Sequence, residues 1–209
     1  MEALLQQSSI AYHTPGSEQF ASLQHSYTGS HPDNPLSIIT LPETSDQVVT
    51  IVKHSLATSS SVVVRGGGHD CFGRFAVKGA VSIDLRKLNF VTVSEDKKTA
   101  RVGGGVKATD LLGHLAKARL QVPVGACGDV GFTSWCLIGG FGPYSNEYGI
   151  GSDQIVGARL VNAQGELVDA DERLLKGLRG GGGSLAIVTE LIVKTYPLNE
   201  VCQLGHERG

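Results

Sequence analysis

Apolar positions along this chain recur with two periods, and each change of period marks an element. Val48, Ile51, Val52 and Leu56 fall at helical spacing, which predicts an amphipathic helix over residues 45–58 with one face inward. Thr44-Ser45-Asp46-Gln47 starts it as a capping box, with Thr44 as N-cap and Gln47 reaching back. Leu36 to Leu41 before the helix and Val62-Val63-Val64 after it are short apolar runs that read as strands. Strand, helix and strand in such close succession favour parallel pairing of the two strands.

Ala80 to Leu85 is the next apolar run and carries Asp84 near its end. Phe90–Val93 and Thr99–Val102 flank the charged turn Glu95-Asp96-Lys97-Lys98 and predict a hairpin. A helix over residues 107–119 is predicted next, with Leu111, Leu112 and Leu115 inward. Ile155–Val161 then pairs through Asn162-Ala163-Gln164-Gly165 with Glu166–Asp169, and Ala186–Thr195 is the last strand. The pattern gives an α+β fold in two lobes. Residues 1–34 read as an irregular leader, 35–98 as a small α/β lobe, 99–197 as a mostly antiparallel lobe with helices, and 198–209 as a polar tail.

A chain of 209 residues can bury a core as one domain or as two small lobes. The net charge of −2 and the lack of a basic run argue against a nucleic-acid partner. No signal peptide, bilayer-spanning segment or Asn-x-Ser/Thr sequon is found, so the expectation is a cytoplasmic protein with no membrane partner. Cys71, Cys127, Cys136 and Cys202 lack CxxC spacing, so neither a metal site nor a disulfide framework is expected.

Glycine changes the picture more than charge does. Gly is 28 of 209 residues, close to twice the usual ~7%. The glycines cluster at 66–68, 103–105, 139–142 and 180–183, which suggests four close approaches of backbone to something else. Gly103-x-Gly105-x-x-Ala108 superficially fits a dinucleotide fingerprint, but no carboxylate follows until Asp129, so a close turn against neighbouring backbone is expected instead.

Arg65-Gly66-Gly67-Gly68-His69-Asp70-Cys71 ends the Val62 strand with a triple-glycine turn. Such a turn can point several N–H groups at one anion, and fixed dipoles of this kind bind phosphate without a lysine. Arg65 adds a cation and His69 a nucleophilic imidazole; the plain alternative is a tight turn with an incidental histidine. Val122 to Gly131 is a second informative loop, stiffened by proline and glycine, that presents the Cys127 thiol.

Together these stretches carry a resemblance to the FAD-binding domain of berberine-bridge-enzyme-like oxidoreductases, of the vanillyl-alcohol-oxidase or p-cresol-methylhydroxylase type. It runs from about Pro35 to Pro197 and includes Arg65-Gly66-Gly67-Gly68-His69, Ile83-Asp84-Leu85, Gly125-x-Cys127 and Val130-Gly131. It continues with Gly139-Gly140-Phe141-Gly142, Tyr148-Gly149, Asp153, Asn162-Ala163-x-Gly165 and Arg179 to Gly183. The resemblance implies FAD as cofactor, its pyrophosphate cradled by Gly66–Gly68. It implies covalent links from His69 to the 8α-methyl carbon and from Cys127 to C6 of the isoalloxazine; binding without a covalent link is the alternative. The other cofactor-binding positions it implies are Arg65, Asp70, Cys71, Asp84, Gly125, Val130, Gly131, Thr133, Gly139, Gly142, Asp153, Ile187 and Val188.

The activity implied is oxidation of an alcohol or amine-bearing carbon of a small molecule, such as a secondary metabolite, with dioxygen as acceptor. A catalytically incomplete flavin-fold protein and a non-redox cyclase or isomerase are the rivals. The sequence departs from the family pattern at Ser134 and Ile138, where side chains replace glycine, which implies a shifted pocket or weaker FAD affinity. Leu175-Lys176 and Ser184-Leu185-Ala186 also replace the family's usual residues. The family's substrate domain would follow near Pro197, whereas this sequence stops at Gly209, so a second copy or a partner is expected to cover the flavin face.

Overall fold

The computed structural model describes residues 1–27, 29 and 35–198. The tail beyond residue 198, with Cys202, lies outside the described residues, as do residues 28 and 30–34 of the leader. The rest of the leader corrects the sequence expectation. It forms α1 (Glu2–Gln7), β1 (Ala11–His13) and α2 (Glu18–Gln24). Leu5, Ile10 and Phe20 are its buried anchors. One buried side chain per short helix is too few to show a period, which is why the pattern read as irregular.

β2 (Ile38–Leu41), α3 (Ser45–Ala57), β3 (Val62–Arg65) and β4 (Val81–Asp84) follow. They build a four-stranded sheet in the order β1-β2-β4-β3. β2 and β3 are parallel, as expected, but each pairs with β4, which lies between them. β2 and β4, each with all four residues buried, are the inner strands, and β3 is left as an edge. Val48, Ile51 and Val52 of α3 are buried against this sheet, whereas Leu56 is exposed and Ser55 takes the inward place. Burying each such aliphatic side chain is worth roughly 1.5–3 kcal/mol. Thr44 caps α3 through Gln47 N–H, while the Gln47 carboxamide reaches one residue further back, to Glu43 N–H at 2.7 Å.

The second lobe contains β5 (Val91–Val93), β6 (Thr99–Gly103), α4 (Ala108–Lys117), β7 (Leu120–Gln121), α5 (Phe132–Leu137), α6 (Ser145–Tyr148), α7 (Gly151–Gln154), β8 (Ile155–Val161), β9 (Leu167–Asp169), α8 (Glu172–Gly181), β10 (Ile187–Lys194) and β11 (Tyr196–Pro197). Its five-stranded sheet, β5-β6-β10-β8-β9, is antiparallel throughout. Both expected hairpins form. Leu111 and Leu115 of α4 enter the core, but Leu112 faces solvent.

Several contacts fasten the lobes. The Ser45 hydroxyl donates to Thr189 Oγ1 at 2.9 Å, and Val161 of β8 packs into the core of the first lobe. The 103–105 glycines serve packing rather than a dinucleotide: a Cβ on Gly103 would meet Leu88 O, and one on Gly105 would meet Leu85 O. This junction sets the C-terminal end of β3 opposite the start of β10.

Candidate cofactor cleft

Between those two ends lies a cleft of about 750 Å³, within the range of small-molecule and cofactor sites. One wall is β3 with its following loop: Arg65, Gly66, Gly67, Gly68, His69, Asp70 and Cys71. The other is built by Val130, Gly131 and Thr133, by the Gly180–Gly183 run, and by Ile187 and Val188 at the start of β10. Twelve of the sequence-predicted positions thus meet in one place although they are spread over the chain.

The loop approaches the opposite wall as closely as backbone can. A Cβ on Gly67 would enter the peptide of Gly131, and one on Gly66 would stand 2.7 Å from Ser134 Oγ. Gly68 has φ +76°, and a Cβ there would stand 2.5 Å from the Arg65 guanidinium. Among the described residues, no backbone carbonyl receives a hydrogen bond from the N–H of Gly66, Gly67, Gly68 or His69. A strand-ending turn with consecutive free N–H groups on a cleft is suited to a phosphate anion. The residues present therefore fit a pyrophosphate-bearing cofactor.

Arg65 is not available as a free cation. Its Nη1 donates to Leu23 O at 2.7 Å and its Nη2 to His25 O at 2.5 Å. Its Nε stands 3.5 Å from the buried Asp84, and its guanidinium lies over the Phe75 ring. Burial pulls its pKa down, and the Asp84 charge opposes that. Asp84 itself lies behind the cleft wall, held also by Arg86 through Nε and Nη2. It does not line the cleft, and its two arginine partners make it a support of the loop from behind.

His69 is half-buried at the cleft edge, its ring stacked on Tyr27 with centroids 4.6 Å apart and planes 18° apart. Burial lowers its pKa first; Asp129 opposes the shift, and Lys107 and Arg65 add to it. The balance favours the neutral imidazole, which is the nucleophilic form. Asp129 is tied to Lys107 at 2.8 Å, and that bond holds its carboxyl below the usual range. Asp70 is held low in the same way by Arg74, which closes the 70–74 turn and sets Phe72 at the cleft mouth.

Six predicted positions do not line the cleft: Asp84, Gly125, Cys127, Gly139, Gly142 and Asp153. Gly125 packs against Trp135, where a Cβ would lie 3.0 Å from Nε1, and a Cβ on Gly142 would meet Val124 O. Gly139 O receives the Ser152 N–H at 2.9 Å, and Asp153 accepts from Ile150 N–H at 3.0 Å. These positions shape the loops behind the cleft. Cys127 is exposed on the 125–131 loop. Ser134 and Ile138 do line the cleft, as their departures from glycine anticipated. Trp135, Leu137, Phe72 and Gly104 line it too. They carry no polar signature by which a sequence could mark them. Among the described residues no group of three or more His, Cys, Asp or Glu could hold a metal, and no helix is long and apolar enough to cross a membrane.

Comparison with known proteins agrees with this geometry. The profile of a family described as "FAD binding domain" matches residues 36–171. An FAD-linked oxidoreductase of Gibberella zeae, aurO, is 41% identical over 194 residues, covering 92% of this chain and 38% of that protein. (R)-6-hydroxynicotine oxidase of Paenarthrobacter nicotinovorans is 34% identical over 188 residues, covering 88% of this chain and 41% of its own. Among solved structures, 6-hydroxy-D-nicotine oxidase from Arthrobacter nicotinovorans superposes with a TM-score of 0.85 at 31% identity, over 90% of this chain and 42% of that one. Berberine-bridge-enzyme-like 1 of Physcomitrella patens superposes with a TM-score of 0.88 at 26% identity, over 94% of this chain and 44% of that one. The chain spans about two fifths of the length of these relatives.

Proposed function

The chain belongs to the berberine-bridge-enzyme-like family of FAD-linked oxidoreductases, and on that footing we propose that its cleft holds FAD joined covalently to His69. Its two-lobed α+β architecture is that of the p-cresol-methylhydroxylase-type FAD-binding domain. The observation that carries the proposal is the Gly66–Gly68 turn, whose N–H groups find no carbonyl partner among the described residues and which ends at a nucleophilic imidazole. Gly66, Gly67 and Gly68 would take the pyrophosphate, with Val130, Gly131, Ile187 and Val188 forming the opposite wall. Bound there, FAD would supply a two-electron acceptor for hydride from an alcohol or amine-bearing carbon of a small molecule, with dioxygen as final oxidant.

His69 would hold the flavin by a bond from one imidazole nitrogen to the 8α-methyl carbon, a two-electron oxidation in which the methyl group and the imidazole would each give up one hydrogen and dioxygen would take up both, with the electron pair, as hydrogen peroxide. Cys127 is the proposed second attachment point, at C6. Because the thiol lies off the cleft lining, that link requires the 125–131 loop to turn it inward. The test is acid precipitation of the FAD-loaded protein and its variants. His69→Ala and Cys127→Ala should each retain flavin on the pellet, and the double variant should release all of it. Complete release from His69→Ala alone would leave Cys127 an ordinary thiol.

A further inference from the structure

We propose that Tyr27 is a positioning residue for His69, holding the imidazole plane in the orientation from which its nitrogen meets the flavin methyl carbon. The proposal rests on the FAD reading above and adds to it a residue from outside the loop and outside the cleft lining.

Tyr27 is 72% exposed, yet it is fixed from both sides. Its N–H donates to Gly68 O at 3.0 Å. Just ahead of it, Leu23 O and His25 O are both gripped by Arg65, whose side chain is 10% exposed and stands against the fully buried Asp84. On the far side, Ser26 and Gly29 close a turn through Ser26 N–H to Gly29 O at 3.2 Å and Gly29 N–H to Ser26 O at 3.0 Å. Residues 23–27 are thus stitched to the Arg65–Gly68 turn by two bonds from the Arg65 side chain and one main-chain bond from Tyr27. The Tyr27 ring has been set down on the one imidazole that the turn presents.

Stacking of this kind suits the chemistry. The lone pair of an imidazole nitrogen lies in the ring plane, so a partner on the ring face fixes the plane without blocking the nucleophile. An aromatic pair adds attraction beyond the area that it buries, which selects among the rotamers of a half-buried side chain. The Tyr27 hydroxyl has no role in this account; only the ring does.

The decisive comparison is Tyr27→Leu against Tyr27→Phe in protein prepared without flavin and then given FAD. Tyr27→Leu should slow covalent attachment about tenfold, equal to about 1.4 kcal/mol on the barrier, while the affinity for FAD measured before attachment stays as in the parent. Tyr27→Phe should restore the parental rate. In the flavin-free protein, the His69 ring protons should lie upfield in the NMR spectrum for the parent and Tyr27→Phe, and move downfield in Tyr27→Leu. A parental attachment rate in Tyr27→Leu overturns the role of Tyr27 while leaving the tether standing. A parent that binds FAD but never retains it in acid overturns the tether, and the positioning role with it.

Discussion

The backbones of Gly67 and Gly131 touch across the junction of the two lobes: a Cβ on Gly131 would stand 2.6 Å from Gly67 N. Neither side of this contact can yield, because main chain meets main chain. Gly67→Ala must therefore push the 66–68 turn off the opposite wall. Gly66→Ala meets only the Ser134 hydroxyl, the end of a small side chain that can rotate. We expect Gly67→Ala to weaken FAD binding by at least about tenfold and Gly66→Ala by less, with Ser134→Gly relieving the latter. Titration of the flavin-free proteins with FAD checks the order. Equal losses would show that the turn tolerates movement.

Asp84 sits fully buried between Arg65 and Arg86. Replacing it by Asn leaves the Arg65 charge buried without its counterion. Breaking a buried pair costs about 3–5 kcal/mol, and the partial exposure of Arg86 places this case at the lower end. Thermal denaturation should show Asp84→Asn losing about 3 kcal/mol, a midpoint fall of about 6–12 °C. An unchanged midpoint would remove Asp84 as the support of the loop.

The pH dependence of flavin attachment follows from His69. Burial lowers its pKa, so the folded imidazole stays neutral below the pH at which a free imidazole takes a proton, near 6.5. The attachment rate should be flat above about pH 6.5 and fall only below it. The sign for stability is the same: the unfolded chain takes the proton first, so this group's share is intact above the unfolded pKa and lost as pH falls through the folded one. Rates of acid-stable flavin formation across pH 5–8 provide the check. A fall that begins above pH 7 would mean that Asp129 outweighs burial.

The turn residues of the site were legible because they are contiguous. Arg65 to Cys71 is one run in the sequence and one wall in space. Val130-Gly131 and Ile187-Val188 were reached through family resemblance, since nothing in either pair marks it chemically. Tyr27 was not legible. Its place depends on Arg65 holding two carbonyl oxygens about forty residues away, and a main-chain acceptor has no side-chain signature. The fold shows a similar boundary. Hairpins and helix periods are local and readable, whereas the insertion of β4 between β2 and β3 is a pairing between distant segments, and the apolar runs of β2 and β4 are buried alike. The helix before Arg179 is hard to read from the sequence because the glycine run that follows dominates the segment; Asp171 caps it through Leu174 N–H at 2.8 Å, and it loses its geometry at Arg179 and Gly180.

The central claim, that this chain folds a cofactor cleft around Gly66–Gly68 and tethers FAD at its edge, is most directly tested by one absorbance spectrum. The protein is purified, loaded with FAD, and measured before and after acid precipitation. The account predicts flavin bands in the native sample and again in the redissolved pellet, lost from both when Gly67→Ala is combined with His69→Ala and Cys127→Ala. A protein that stays colourless with FAD in excess would contradict it.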